Sequence, residues 1–189
     1  MVLLKSVGVD PGFTNVGLAT SVFNTETRES TVVDVSLVKT EKIEKKARSA
    51  VRVSTDDQRR AEEIIDDLCA YFDTHKPSII VVEGYSPYSV PMKGGWKTVL
   101  TQGSVLAIAK LKGILLYTLL PLDLKMHFLK KNKGGKNEVI AAVKSVHVEA
   151  AQLIDSLPKT KREHVADAIG YSLIGCAEIE KQMRITTGV

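Results

Sequence analysis

Two acidic residues in this sequence close apolar runs. Asp10 follows the run 3–9 and opens Asp-Pro-Gly-Phe-Thr-Asn, while Glu83 ends Ser-Ile-Ile-Val-Val-Glu and precedes Gly84. An ionised carboxylate at the end of a buried strand is costly unless it is paired or binds a metal. Asp-Pro-Gly is also good turn chemistry whatever the function, so Asp10 alone does not separate a ligand from a turn residue. A glutamate ending a buried strand has fewer ordinary explanations. If the two strands are adjacent and parallel, both carboxylates reach the same sheet edge. A third segment, Arg-Glu-His-Val-Ala-Asp-Ala-Ile-Gly at 162–170, sets His164 and Asp167 three apart, on one face of a helix. Val165, Ala168, Ile169 and Cys176 fall on the adjoining apolar face. Taken singly, His164 fits a surface or capping histidine and Asp167 an N-terminal helix charge. Together the four form an oxygen-rich set with one imidazole, which suits Mg²⁺ or Mn²⁺. Zinc would want more histidine or cysteine. The chain has four scattered histidines, and Cys69 and Cys176 lack ligand spacing and read as free buried thiols.

The elements that must hold these groups can be read from periodicity. Residues 3–9 read as a buried strand, and 16–23 and 30–38 as two antiparallel strands joined by the polar turn 24–29. Ala61, Ile64, Ile65, Leu68, Cys69 and Phe72 recur at helical spacing, with Ser54 or Thr55 as the expected cap. A β-branched strand follows at 77–83, then a turn-rich loop at 84–95, a helix at 96–112 and a strand at 114–120. A Lys/Gly loop at 132–135 separates these from helices at 137–148 and 162–182. The order β-β-β-α-β-α-β-α-α predicts an α/β fold, a mixed five-stranded sheet with helices on both faces, in a single domain over residues 1–189.

Composition limits the function classes. A chain that is 44% hydrophobic and 25% charged can bury a core and does not read as disordered. The longest apolar stretch, 113–122, is too short to cross a bilayer and contains Pro121. The N-terminus lacks the basic lead and small-residue cleavage site of a signal peptide, so a cytoplasmic protein, or one in the host cytoplasm if phage-encoded, is expected. The net charge of +4 is concentrated. Between Lys39 and Arg60 eight basic residues face four acids, and between Asp123 and Lys144 six lysines face two acids. Each patch fits a phosphate-tracking surface or simply a solvated charged face.

Four blocks in order resemble the RuvC-type Holliday-junction resolvases, over about residues 4 to 177. They are Gly-Val-Asp-Pro-Gly-Phe-Thr-Asn-Val-Gly at 8–17, Val-Val-Glu at 81–83, Leu-Lys at 124–125 with Gly-Lys-Asn-Glu-Val at 135–139, and His-Val-Ala-Asp-Ala at 164–168. Lys125 and Lys136 have the family's eleven-residue spacing. The resemblance implies an RNase H-like nuclease domain with Asp10, Glu83, His164 and Asp167 as metal ligands. It implies Mg²⁺, with Mn²⁺ able to substitute, as two ions per active site about 3.5–4 Å apart, and no nucleotide cofactor. Lys136, with Lys125, would stabilise charge at the scissile phosphate. The substrate would be a four-way or branched DNA, nicked symmetrically to leave 5′-phosphate and 3′-hydroxyl ends.

DNA contacts are expected at Lys125, Lys130, Lys131, Lys133, Lys136 and Lys93. The family inserts an aromatic just after the glutamate, for which Tyr85 and Tyr88 are the candidates. A homodimer is expected, with Val99, Val105, Leu106 and Ala109 of the helix at 96–112 as one interface and packing on the chain's own sheet as the other use of that face. The sequence departs from the family's pattern in carrying His164 where many members have aspartate, and Gln102-Gly103 where an Arg-Gly pair is common. Its longer basic segment 39–60 points toward a phage or divergent member. Three other functions fit parts of the pattern. A kinase-like ATPase would need a second domain. A YqgF-type nuclease acting on RNA or other branched DNA shares the early Asp and the middle Glu. A non-catalytic junction-binding protein would be expected to lack a ligand.

Overall fold

The computed structural model describes residues 2–43, 52–84 and 95–187. Along the chain run β1 (Leu3–Pro11), β2 (Asn15–Asn24), β3 (Ser30–Lys39), α1 (Val53–His75), β4 (Ile79–Glu83), α2 (Gly95–Lys112) and β5 (Leu115–Leu119). They are followed by α3 (Pro121–Leu129), α4 (Lys136–Val146), α5 (Val148–Asp155), a 3₁₀ turn and α6 (Arg162–Thr187). The strands form one mixed sheet in the order β3-β2-β1-β4-β5. β1 pairs antiparallel with β2 and parallel with β4, and β5 is parallel to β4. The expected mixed five-stranded sheet with helices on both faces is therefore present.

Strand alternation divides the core. Val7, Val9, Leu18, Ile80 and Val82 point to one face, where Ile64, Leu68 and Phe72 of α1 and Val105 and Ala109 of α2 cover them. Ala19, Phe23, Ile79 and Val81 point to the other, beneath α6 and the helices α3 to α5. The seam between α6 and the sheet is unusually close, and glycine makes it so. A Cβ on Gly8 would stand 1.9 Å from the Ala168 carbonyl oxygen, and one on Gly17 2.2 Å from that of His164. Any side chain at either position would push α6 off β1 and β2. Both glycines lie in the block that carries Asp10, so the residues that let the helix approach and the residue it approaches are encoded together.

Several local expectations need correction. Neither Ser54 nor Thr55 caps α1, because the helix already begins at Val53; the Arg52 carbonyl accepts from the Thr55 and Asp56 N–H groups at 3.0 and 3.1 Å. Two helices are additional to the expected order. α3 starts at Pro121, a residue preset for a first helical turn, and the Asp123 carboxylate accepts the Leu120 N–H at 2.7 Å. α5 is split from α4 by His147 alone, whose extended backbone (φ −141°, ψ 130°) breaks the helix with neither glycine nor proline. Among the described residues no helix is long and apolar enough to cross a membrane.

Candidate active site

The strand register decides how the acids meet. Val9 pairs with Val82 across the parallel β1–β4 ladder, so the residues that follow, Asp10 and Glu83, end neighbouring strands side by side. α6 crosses this end of the sheet with its first turns, held down at Gly8 and Gly17. A cavity of about 490 Å³ opens there, and its walls include Asp10, Glu83, Glu163, His164, Asp167 and Tyr171. Lys125 from α3 and Lys136 from the first turn of α4 line the same cavity. The four expected ligands and the two spaced lysines are thus brought together from five elements. Val165, Ala168, Ile169 and Cys176 are fully buried on the other side of α6, as their spacing requires.

Charge in this cavity is poorly balanced. Burial first, and then the Asp10 charge, pushes the Glu83 carboxyl up to about 7. Asp167 is pushed up to about 8, chiefly by burial and then by Asp10, Glu83 and Glu163. His164 Nδ1 lies 2.6 Å from Asp10 Oδ2, and this hydrogen bond raises the imidazole above its ordinary value against the opposing effect of burial. Lys136, although largely exposed, pairs with Glu163 at the rim. The site therefore concentrates more negative charge than its own cations neutralise, and it holds part of that charge back as bound protons.

The donor set fits a hard divalent cation, because three carboxyls that repel one another are relieved by a cation at their centre. Among the described residues no three His, Cys, Asp or Glu side chains are already gathered closely enough to hold one. His164 is instead engaged with Asp10, and ligation would exchange that hydrogen bond for a metal bond.

No protein-family model matches the sequence, and no curated protein does. Solved structures do match. RuvC of Thermus thermophilus is similar over 95% of this chain and 96% of that one, with 21% identity and a TM-score of 0.67. The fold is that of the RuvC-type Holliday-junction resolvases. The yeast mitochondrial Holliday junction resolvase Ydc2 covers 88% of this chain and 75% of its own at 14% identity and a TM-score of 0.60. A fowlpox virus resolvase, solved with its substrate Holliday junction DNA, covers 93% and 99% at 13% identity and a TM-score of 0.60. At these identities the shared property is the resolvase fold, and the chemistry has to be argued from the residues.

Within the resolvase fold the remaining expected residues fall into groups. Lys130, Lys131 and Lys133 are exposed on the connection between α3 and α4, outside the cavity, and Lys131 pairs with Glu138. Tyr85, Tyr88 and Lys93 lie outside the described residues. The basic patch 39–60 is smaller than its count suggests. Arg60 is only 1% exposed, and Arg59 is tied to Asp56, Glu63 and the Glu41 carbonyl. Lys39 pairs with Glu41, so at least three of the eight cations are engaged within the protein itself. The expected interface on α2 also divides: Val105 and Ala109 are buried in the chain's own core, whereas Val99 and Leu106 are exposed. Glu163 and Tyr171 were not among the expected site residues. Both were accessible from sequence, since Glu163 precedes His164 and Tyr171 stands one helical turn beyond Asp167.

Proposed function

We propose that the chain is a metal-dependent endonuclease that resolves four-way DNA junctions, with residues 1–189 acting as one nuclease domain. The observation that carries this reading is the convergence of Asp10, Glu83, His164 and Asp167 in one cavity whose rim bears Lys125 and Lys136. These four residues would hold Mg²⁺ or Mn²⁺, which would supply an activated water and charge neutralisation at the phosphoryl oxygens. Asp10 would be the central ligand, and it hydrogen-bonds His164. Glu83 and Asp167 would complete the ligand set, and a cation held there would favour their ionised forms over the protonated ones. His164 would exchange its hydrogen bond to Asp10 for a place as a ligand, or would orient the attacking water. Lys136 leaves Glu163 to meet the scissile phosphate, and Lys125 steadies the strand beside it. Lys130, Lys131 and Lys133 would follow the backbone away from the cut. The products carry 5′-phosphate and 3′-hydroxyl ends.

A four-way junction offers two equivalent strands, which a twofold dimer with two cavities can cut symmetrically. The outer face of α2 supports such a dimer, since Trp96, Val99, Leu100 and Leu111 with Ile65 line an exposed apolar groove of about 620 Å³. The test is incubation with a mobile four-way junction, a linear duplex and an RNA–DNA hybrid in Mg²⁺ or Mn²⁺. Paired symmetric nicks confined to the junction, abolished by Asp10→Asn, are expected. Preferential cutting of the hybrid would replace this reading with a ribonuclease, and binding without cutting would replace it with a junction-recognition protein.

A further inference from the structure

Most buried side-chain hydroxyls in this fold have a partner. Tyr71 shares a 2.8 Å hydrogen bond with Thr20, and Ser21 one of 2.6 Å with Ser172. Tyr171 is different. Its side chain is fully buried and its hydroxyl makes no hydrogen bond of ordinary geometry with a described residue. Ser6 is in the same condition, but its hydroxyl faces Gly175 inside the helix–sheet seam. Tyr171 instead lines the cavity with Glu83 and Asp167, one helical turn beyond Asp167.

A buried hydroxyl that meets Glu83 without ordinary hydrogen-bond geometry gains little in return for its desolvation, a cost that phenylalanine would avoid while filling the same space. Stability alone therefore favours phenylalanine at position 171. The hydroxyl lies near enough to Glu83 to favour its charged form. A phenol hydroxyl is a neutral donor, and the carboxyls that share its cavity supply the acceptors.

We infer that Tyr171 is a positioning residue whose hydroxyl donates to the Glu83 carboxylate and fixes the rotamer in which Glu83 can ligate a divalent cation. One carboxylate oxygen would then be free for the cation while the other accepts the hydrogen bond from the Tyr171 hydroxyl. Outer contacts of this kind orient ligands and typically change metal affinity by about 10–100-fold when removed. The inference rests on Glu83 being a cation ligand, and it does not depend on which nucleic acid is cut.

The experiment compares the full chain with Tyr171→Phe and with Ser6→Ala, which removes an equally unpaired hydroxyl outside the cavity. Mn²⁺ binding without DNA is followed by electron paramagnetic resonance of the free ion, and unfolding by thermal melts with and without Mn²⁺. Tyr171→Phe is expected to keep or raise the metal-free melting point and to weaken Mn²⁺ binding about tenfold, with the same loss in cleavage recovered at high Mn²⁺. Ser6→Ala is expected to bind Mn²⁺ as the wild type does. Unchanged Mn²⁺ affinity in Tyr171→Phe overturns the inference, as does a sharp fall in its metal-free melting point or a wild type that binds no Mn²⁺. A wild type that binds Mn²⁺ but does not nick junctions overturns the resolvase reading alone, with the effect of Tyr171→Phe on binding still measured.

Discussion

Two clusters of charge flank the turn that follows Asp10, one on each face of the sheet, and they are built on opposite principles. On the α1–α2 face Arg60 is almost completely enclosed. Its guanidinium donates to Thr40 and Thr14 hydroxyls at 3.0 and 3.1 Å, lies 4.6 Å from the Phe13 ring centre and stands 3.7 Å from Asp57. Lys97 of α2 pairs with the same Asp57. Every charge there is answered by another or by a dipole. On the α6 face Asp10, Glu83 and Asp167 share one cavity with only His164 and the rim lysines to oppose them. A compensated cluster holds a turn still. An uncompensated one is costly in isolation, a cost that the proposed cation would relieve.

The largest expected effect comes from removing charge on the uncompensated side. Asp167→Asn is expected to lower junction cleavage on the order of 10³-fold or more, because ligands that act as a unit fail as a unit. The same variant should be more stable than the wild type without metal at pH 8. The sign follows from linkage: folding raises the Asp167 carboxyl to about 8 and Glu83 to about 7, so the native state binds more protons than the unfolded chain between about pH 4 and 8. Metal-free wild type therefore loses stability as pH rises through that window, and His164, also raised, adds in the same direction. Melts from pH 5 to 8 should show a shallower decline in Asp167→Asn, and addition of Mn²⁺ should flatten the wild-type curve. A variant less stable than the wild type at pH 8 would remove the contrast between the two clusters.

On the compensated side the effect is on stability. Arg60→Met leaves Asp57 with Lys97 alone and frees the Thr14 and Thr40 hydroxyls from their donor. A loss of about 3 kcal/mol is expected, the lower end for breaking a buried pair, since Lys97 still answers part of the Asp57 charge. Urea titration reads it as a lower midpoint at an unchanged slope. Cleavage measured well below the melting point should stay within a few-fold of wild type. A large loss of activity in folded Arg60→Met would show that the turn's position, and not only its stability, depends on this residue.

The contrast also explains what was legible in the sequence. Asp10 and Glu83 could be paired in advance because a parallel register places strand ends together, and His164 with Asp167 because helical spacing does. Arg60 was counted with a basic surface because charge counts ignore burial. Its position was nonetheless readable, for Arg60, Ile64 and Leu68 form a stripe four residues apart and all three are buried. The break at His147 had no such signal, since one residue in extended conformation ends α4 and caps α5 without a helix-breaking type. The close approach at Gly8 and Gly17 was hidden for another reason. Glycine in a strand marks a close backbone approach, but which element approaches is settled only by the tertiary fold.

The rim offers the finest test, because Lys136 and Glu163 form a compensated pair on the uncompensated face. Exposed ion pairs contribute little to stability, so Glu163→Gln should hardly move the melting point. Its effect belongs to binding. With Glu163 neutral, Lys136 meets a phosphate without first giving up a carboxylate, and the cavity repels the DNA backbone less. Junction affinity measured without divalent metal should rise a few-fold, and the logarithm of the binding constant should fall more steeply with the logarithm of salt, by about one unit of slope. Lys136→Gln should shift both quantities the opposite way. Should Glu163→Gln bind the junction more weakly instead, Glu163 would have to be counted with the ligands of the cavity rather than as a restraint on Lys136, and the compensated pair at the rim would cease to be one.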